Sequence, residues 1–345
     1  MPLLRFSGLM RLVLAIWLLV MTPLALTLGI SQLFPARDVI SMPIVRAHQV
    51  DFALMDISHQ FTRTVVHNVE MLSAPQWSPD GTRIAYLGRS PRAGVDIFVT
   101  HVYTGTVTNV SDSPGIDYDP AWSPDSNQIA FATRDFGSLD IFRVNADGSD
   151  RQRLTHGPDE DFDPIWSPDG RQIVFRSDRN RGVHIFLMDA DGGNQRLLSD
   201  RVNLKLPQWS PDSTQLLIGH DHDVFLINAS TNDELCLTLD NTLLASDPVW
   251  SPDGRQIAYI GVRNHTQHDI YIMNVDGSNN RRLTTSGDVN APLNWSPDGS
   301  HLVFQRHPMG ERSEHVYILS LTADGQTHSN ELLVRNFDQW VMWQP

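Results

Sequence analysis

Short apolar runs set between polar turns dominate the chain. Ile84-Ala85-Tyr86, Ile129-Ala130-Phe131, Ile173-Val174-Phe175, Leu216-Leu217-Ile218, Ile257-Ala258-Tyr259 and Leu302-Val303-Phe304 are the cores of one recurrent run. They are too short for helices and rich in β-branched and aromatic residues, so they read as strands. A second set of runs follows, as in Asp51-Phe52-Ala53-Leu54, Asp140-Ile141-Phe142-Arg143 and Asp269-Ile270-Tyr271-Ile272. Shorter segments such as Arg153-Leu154-Thr155 and Arg282-Leu283-Thr284 come next, after the Asp-Gly pairs Asp147-Gly148 and Asp276-Gly277 that mark hairpins. The pattern predicts an all-β chain with four strands in each repeat.

A tryptophan turn opens every repeat. Trp-Ser-Pro-Asp-Gly begins at Trp77, Trp166, Trp250 and Trp295, and Trp-Ser-Pro-Asp-Ser at Trp122 and Trp209. Proline presets φ for a type I turn, and glycine accepts the left-handed conformation that follows. Ser126 and Ser213 replace that glycine and are expected to be mildly strained. Six tryptophans at one register form the packing unit between neighbouring repeats. Their spacing of 41–45 residues is that of the four-stranded blades of a β-propeller. The repeat is already running at Val39, where Ile40 to Val45 takes the place of a second strand and no first strand precedes it. Trp343-Gln344-Pro345 matches Trp-Ser-Pro and can supply the missing one. That predicts seven blades, one completed by both ends of the chain, with six blades as the alternative.

The segment before the repeats differs. Residues 12–30 are apolar and uncharged, and Arg5 and Arg11 precede them. Nineteen such residues are long enough to span a bilayer. The arginines place residues 1–11 in the cytoplasm and the rest outside. The expected organisation is a transmembrane signal-anchor at 12–30, a linker at 31–38 and a β-propeller at 39–345. A cleaved signal peptide with a secreted or periplasmic product is the alternative.

The repeated Pro-x-Trp-Ser-Pro-Asp-Gly, then Ile-Ala-Phe/Tyr, Asp-Ile-Phe/Tyr and Asp-Gly-Ser-x-x-Arg-Arg-Leu-Thr, resembles the WD40-like (PD40) β-propeller repeats of the TolB-like family, over about residues 39–345. The resemblance implies a non-catalytic extracytoplasmic propeller that binds other envelope proteins. TolB also carries an α/β domain ahead of a six-bladed propeller, for which residues 1–38 leave no room. Similar repeats build the propellers of prolyl-oligopeptidase-type peptidases and of oligogalacturonate lyase, so the fold alone does not choose a function.

Strand direction sorts the loops. The tryptophan and Asp-Gly turns share one face. The longer, more varied connections lie on the other, where function is expected. That face carries acids at Asp117, Asp119, Asp161, Asp163 and Asp247, and an arginine after the second strands at Arg89, Arg134, Arg179, Arg263 and Arg306. Arginine of one blade pairing with aspartate of the next would set blade register. The same groups exposed would bind a basic partner. His220, His222, His265, His268 and His307 come from three consecutive repeats on this face. Together they could hold zinc or manganese. Oligogalacturonate lyase, with its histidine-bound metal, would then imply a metal-dependent enzyme or sensor for acidic saccharides.

The net charge of −14 disfavours nucleic acid. Cys236 stands alone, which excludes an intrachain disulfide. No Gly-x-Ser-x-Gly elbow and no glycine-rich phosphate loop occur. The sequence therefore predicts a monomeric, membrane-anchored scaffold without a cofactor that binds an envelope or surface protein or a peptide.

Overall fold

The computed structural model describes residues 39–46, 49–56, 61–69, 75–90, 94–179, 181–201, 206–238, 243–307, 315–321, 327–334 and 342–343, with side chains between 75 and 321 apart from 290 and 291. The apolar run at 12–30 and the linker lie outside the described residues. Among the described residues, no helix is long and apolar enough to cross a membrane.

These residues form seven four-stranded antiparallel sheets. Sheet 1 comprises Gln76–Trp77, Arg83–Arg89, Val95–His101 and Val107–Asn109; sheet 2, Asp117–Trp122, Gln128–Thr133, Asp140–Asn145 and Gln152–Arg153. Sheet 3 runs Asp161–Trp166, Gln172–Ser177, His184–Asp189 and Arg196–Ser199; sheet 4, Gln208–Trp209, Gln215–His220, Asp223–Asn228 and Glu234–Cys236. Sheet 5 holds Leu244–Trp250, Gln256–Arg263, Gln267–Asn274 and Arg281–Arg282; sheet 6, Val289–Trp295, His301–Arg306, His315–Leu321 and Thr327–Val334. Sheet 7 joins the two ends of the chain: Val39–Arg46, Gln49–Asp56 and Phe61–Val69 are completed by Met342–Trp343. Ile40 pairs with Trp343 there, as the Trp-x-Pro match predicts.

The tryptophan turn closes as the sequence requires. The Gly81 N–H donates to the Ser78 carbonyl at 2.8 Å, and the turns at Ser126, Gly170, Ser213, Gly254 and Gly299 repeat this bond. Gly81, Gly170, Gly254 and Gly299 hold φ between 66° and 72°, and Ser126 and Ser213 hold 62° and 63°. The serine of each motif has a role that propensity does not reveal. The Ser78 hydroxyl donates to Asp80 at 2.6 Å and accepts from the Arg83 N–H at 2.9 Å, which locks the turn to the next strand. Ser123, Ser167, Ser210, Ser251 and Ser296 donate to their own aspartates in the same way.

The two serines that stand in place of glycine bond across sheets. Ser126 Oγ accepts the Asp80 N–H at 3.0 Å, and Ser213 Oγ accepts the Asp169 N–H at 3.0 Å. A left-handed β-carbon costs about 1 kcal/mol, and one such bond returns a similar amount. Ser126→Gly is therefore expected to leave stability within about 0.5 kcal/mol of the parent, because strain and bond are lost together. Ser126→Ala keeps the strain and loses the bond, and should cost about 1 kcal/mol in urea unfolding.

Trp77, Trp122, Trp166, Trp209 and Trp250 are buried and Trp295 is partly so, and three of them tie consecutive sheets together. The Trp122 indole N–H donates to the Gln76 carbonyl of sheet 1 at 3.1 Å; Trp209 reaches Ile165 of sheet 3 at 3.3 Å, and Trp250 reaches Gln208 of sheet 4 at 3.4 Å. The core fills the space between sheets. Ala85, Ile97 and Val99 of sheet 1 pack with Trp122, Ile129 and Phe131 of sheet 2, and Ala130 and Ile141 of sheet 2 with Trp166, Ile173 and Phe175 of sheet 3. The middle strands of sheets 1 to 6 bury both faces, which is why they are nearly continuous apolar runs.

Candidate functional site

The first strands of sheets 4, 5 and 6, with the second strand of sheet 3, contribute to one cavity of about 500 Å³. Its wall takes Arg176 from sheet 3, Gln208 and Gly219 from sheet 4 with Leu206 just before it, Asp247, Pro248 and Val249 from sheet 5, and Pro292, Leu293 and Asn294 from sheet 6. Residues of four consecutive sheets thus converge on one wall. Leu206 is half exposed there, an apolar group offered to solvent beside a guanidinium and a carboxylate.

The Asp-Pro step shapes this wall. Asp119, Asp163 and Asp247 hold φ of 51°, 53° and 50°, each followed by proline. Each lies within a register shift of its first strand, between Tyr118 and Ala121, Phe162 and Ile165, and Ser246 and Val249. Aspartate is among the few residues that tolerate a left-handed bulge, and a bulge re-aims a side chain out of the ladder. Asp119 and Asp163 are thereby brought together. Burial first, and the charge of Asp163 second, push the Asp119 carboxyl up to about 7. Asp163 is also held by Arg176, whose guanidinium lies over the Phe162 ring at 5.0 Å.

The remaining sequence candidates divide. Asp117 and Asp161 are fully buried at the start of first strands, away from solvent. Arg134 pairs with Glu160 of the following repeat at 2.8 Å, the cross-repeat contact that the sequence suggests. The other arginines correct that expectation. Arg179 meets Asp161 at 2.6 Å, Arg306 meets Asp288 at 2.8 Å, and Arg263 approaches Asp269 at 4.0 Å, all within their own repeats. The ends of paired strands one and two, or two and three, lie closer together than neighbouring sheets do. Arg89 is exposed at the end of its strand.

Four of the five histidines share a second cavity of about 620 Å³ between sheets 4 and 5, with Asp221, Ser246, Leu244 and Val262. His220 Nε2 lies 3.1 Å from Asp221, and His222 and His265 sit at hairpin tips with φ of 71° and 60°. His307 is not part of this wall. Among the described residues, no three His, Cys, Asp or Glu side chains come together as metal ligands. The rings are spread around the cavity instead of focused on a point.

Sequence reasoning missed the acids at the first buried positions of third strands. Asp96, Asp140 and Asp269 are wholly inaccessible. Asp140 binds Arg153 at 2.7 Å, and Asp269 binds Arg282. A hydroxyl two residues after each arginine, Thr155 or Thr284, accepts the N–H of the residue after the acid at 2.9 Å. The signal was present as Asp followed thirteen residues later by Arg and fifteen later by Thr.

A family model described as the TolB beta propeller domain matches residues 42–260. The Tol-Pal system protein TolB of Francisella tularensis subsp. holarctica is 28% identical over 242 residues, covering 66% of this chain and 54% of that protein. The chain thus spans about half the length of the curated relative it matches. The crystal structure of TolB from Acinetobacter baumannii is similar at 17% identity and a TM-score of 0.51, over 87% of this chain and 80% of that one. An oligogalacturonate lyase in complex with manganese is similar at 15% identity and a TM-score of 0.62, over 84% of each chain. At these identities the structures testify to the fold alone. The family match covers more than half of the chain and takes in its tryptophan turns from Trp77 to Trp250, and the chain belongs to the TolB beta-propeller family.

Proposed function

We propose that the chain is a non-catalytic scaffold whose seven sheets close into a seven-bladed ring, with Met342–Trp343 completing the last blade. It docks an envelope or surface protein, or an extended peptide of one, at the axial cavity on the loop-rich face. The observation that carries this reading is the amphipathic wall drawn from four sheets. Leu206, Pro248, Pro292 and Leu293 offer apolar contact, and Arg176 and Asp247 stand among them. A rigid wall with a few convergent polar groups suits a partner segment of mixed apolar and basic side chains. The net charge of −14 favours that basic character. Membership of the TolB family supports an extracytoplasmic setting, and the apolar run at 12–30 would tether the ring to the membrane.

A photo-crosslinking residue at Leu206 tests the site. It should trap one discrete envelope partner in living cells, while the same residue at Tyr103, in a turn on the opposite face, should not. Asp247→Arg in the Leu206 background should reduce the adduct by about tenfold, as expected for one reversed charge in a desolvated contact. Equal trapping from both faces, or an adduct indifferent to Asp247→Arg, rejects the axial cavity as the docking site.

A further inference from the structure

The interface between sheets 1 and 2 carries buried carboxyl oxygens that no group among the described residues satisfies. Asp96 and Asp117 are both fully inaccessible. Neither carboxylate oxygen of Asp117 has a hydrogen-bond partner among the described residues, and Asp96 Oδ1 has none either. Asp96 Oδ2 accepts the Asn109 amide at 2.6 Å. The buried hydroxyls of Ser111, Ser113 and Thr133 surround the Asp117 carboxyl, with Ser113 and Thr133 3.1 Å apart. Asp135 at the rim is satisfied, taking Ser113 at 2.6 Å, the Gly115 N–H at 2.9 Å and Arg151.

The next interface shows what this pair lacks. Asp140 and Asp161 occupy the positions of Asp96 and Asp117 one repeat later, twenty-one residues apart in both cases. There Arg153 binds Asp140 and Arg179 binds Asp161, so two positive charges meet two negative ones. The residues at the places of Arg153 and Arg179 are Asn109 and Asp135. Both guanidinium groups are gone, and Asp135 brings a further carboxylate, which Arg151 offsets. Among the described residues, no guanidinium group pairs with either buried carboxylate. Burying even one costs several kcal/mol unless it is paired or protonated.

We propose that Asp96 and Asp117, with the hydroxyls of Ser111, Ser113 and Thr133, bind a hard divalent cation of the calcium class between sheets 1 and 2. The donors are all oxygen, which selects hard cations over zinc or copper. The set has two carboxylates completed by hydroxyls, so it differs from a trio of ionisable ligands. Its charge of two matches a divalent ion, as two arginines match the equivalent pair next door.

The test uses the full chain, stripped with a chelator and titrated with calcium chloride at pH 7.5. Calorimetry should show one site, and the thermal midpoint should rise by on the order of 5 °C at saturating calcium. Asp117→Asn should abolish the response. Asn109→Arg, which installs the arginine of the next interface, should abolish it too, while matching the calcium-loaded parent in stability. That variant keeps the test informative if Asp117→Asn folds poorly. Asp119→Asn, whose carboxyl faces Asp163 instead, should leave the response intact. A parent that ignores calcium and gains stability only as pH falls from 7.5 to 5.5 holds a proton instead, and overturns the proposal. A calcium response that survives both Asp117→Asn and Asn109→Arg overturns it as well.

Discussion

Arg153→Ala is expected to destabilise the protein by about 3–5 kcal/mol, the usual cost of stripping the partner from a buried charge. Asp140 is wholly inaccessible, and Arg153 is its ion-pair partner at 2.7 Å. The same guanidinium donates to the Thr155 carbonyl at 3.0 Å and stacks over Phe136 at 4.5 Å. The charge of Asp161 makes matters worse once the arginine is gone, because it already acts to raise Asp140 alongside burial. Asp140→Asn in the Arg153→Ala background should recover most of the loss, since the amide carries no charge to strand. Urea unfolding of the two single variants and the double variant reads this coupling directly. A single-variant cost below about 1 kcal/mol would mean that water reaches Asp140 and that the pair is not a structural unit.

The Asp119–Asp163 pair yields an effect of opposite sign. Asp119→Asn should stabilise the protein at pH 8 by about 1–2 kcal/mol, after allowance for partial solvent screening. Burial and Asp163 raise the folded carboxyl to about 7, whereas the unfolded chain titrates near 3.8. The folded state therefore holds the proton more tightly. The stability linked to this group is complete below about pH 4, falls as pH rises and levels off above about 7. The variant has no such group, so the gap between the two proteins should open across that window and then stay constant. Asparagine also tolerates the left-handed backbone at φ 51°, so no strain is added. Asp163→Asn is the contrasting case: it strands Arg176 and should lower stability by about 1–2 kcal/mol. Thermal unfolding of the three proteins from pH 4 to pH 8 compares them. A gap that does not change with pH would show that Asp119 ionises normally.

The second effect turns on a pair that the sequence reading treated as part of one acidic surface. Asp119 and Asp163 are forty-four residues apart, yet they act on each other across two strands that each carry a bulge at the aspartate. Asp161, in the same sequence context as Asp163, is buried and paired with Arg179. Alternation along the strand separates the two: positions two apart share a face only while the ladder is regular, and the Asp-Pro bulge breaks it.

What the sequence determined by itself was local and repeated. The type I turn at Ser-Pro-Asp, the left-handed glycine or serine after it, the apolar second strand and the aspartate that opens the third all follow from contacts within about fifteen residues. The period then multiplies them into sheets. Even the joining of the two ends was legible, because Trp343 carries the same turn signature as the other tryptophans. Tertiary structure alone decided which charges meet. Arg179 closes on its own repeat while Arg134 reaches the next, His307 stays apart from the four histidines of the sheet 4–5 cavity, and Ser126 bonds back to sheet 1. These outcomes depend on ångström-scale distances between stacked sheets, which twist and bulge geometry set and residue type does not encode.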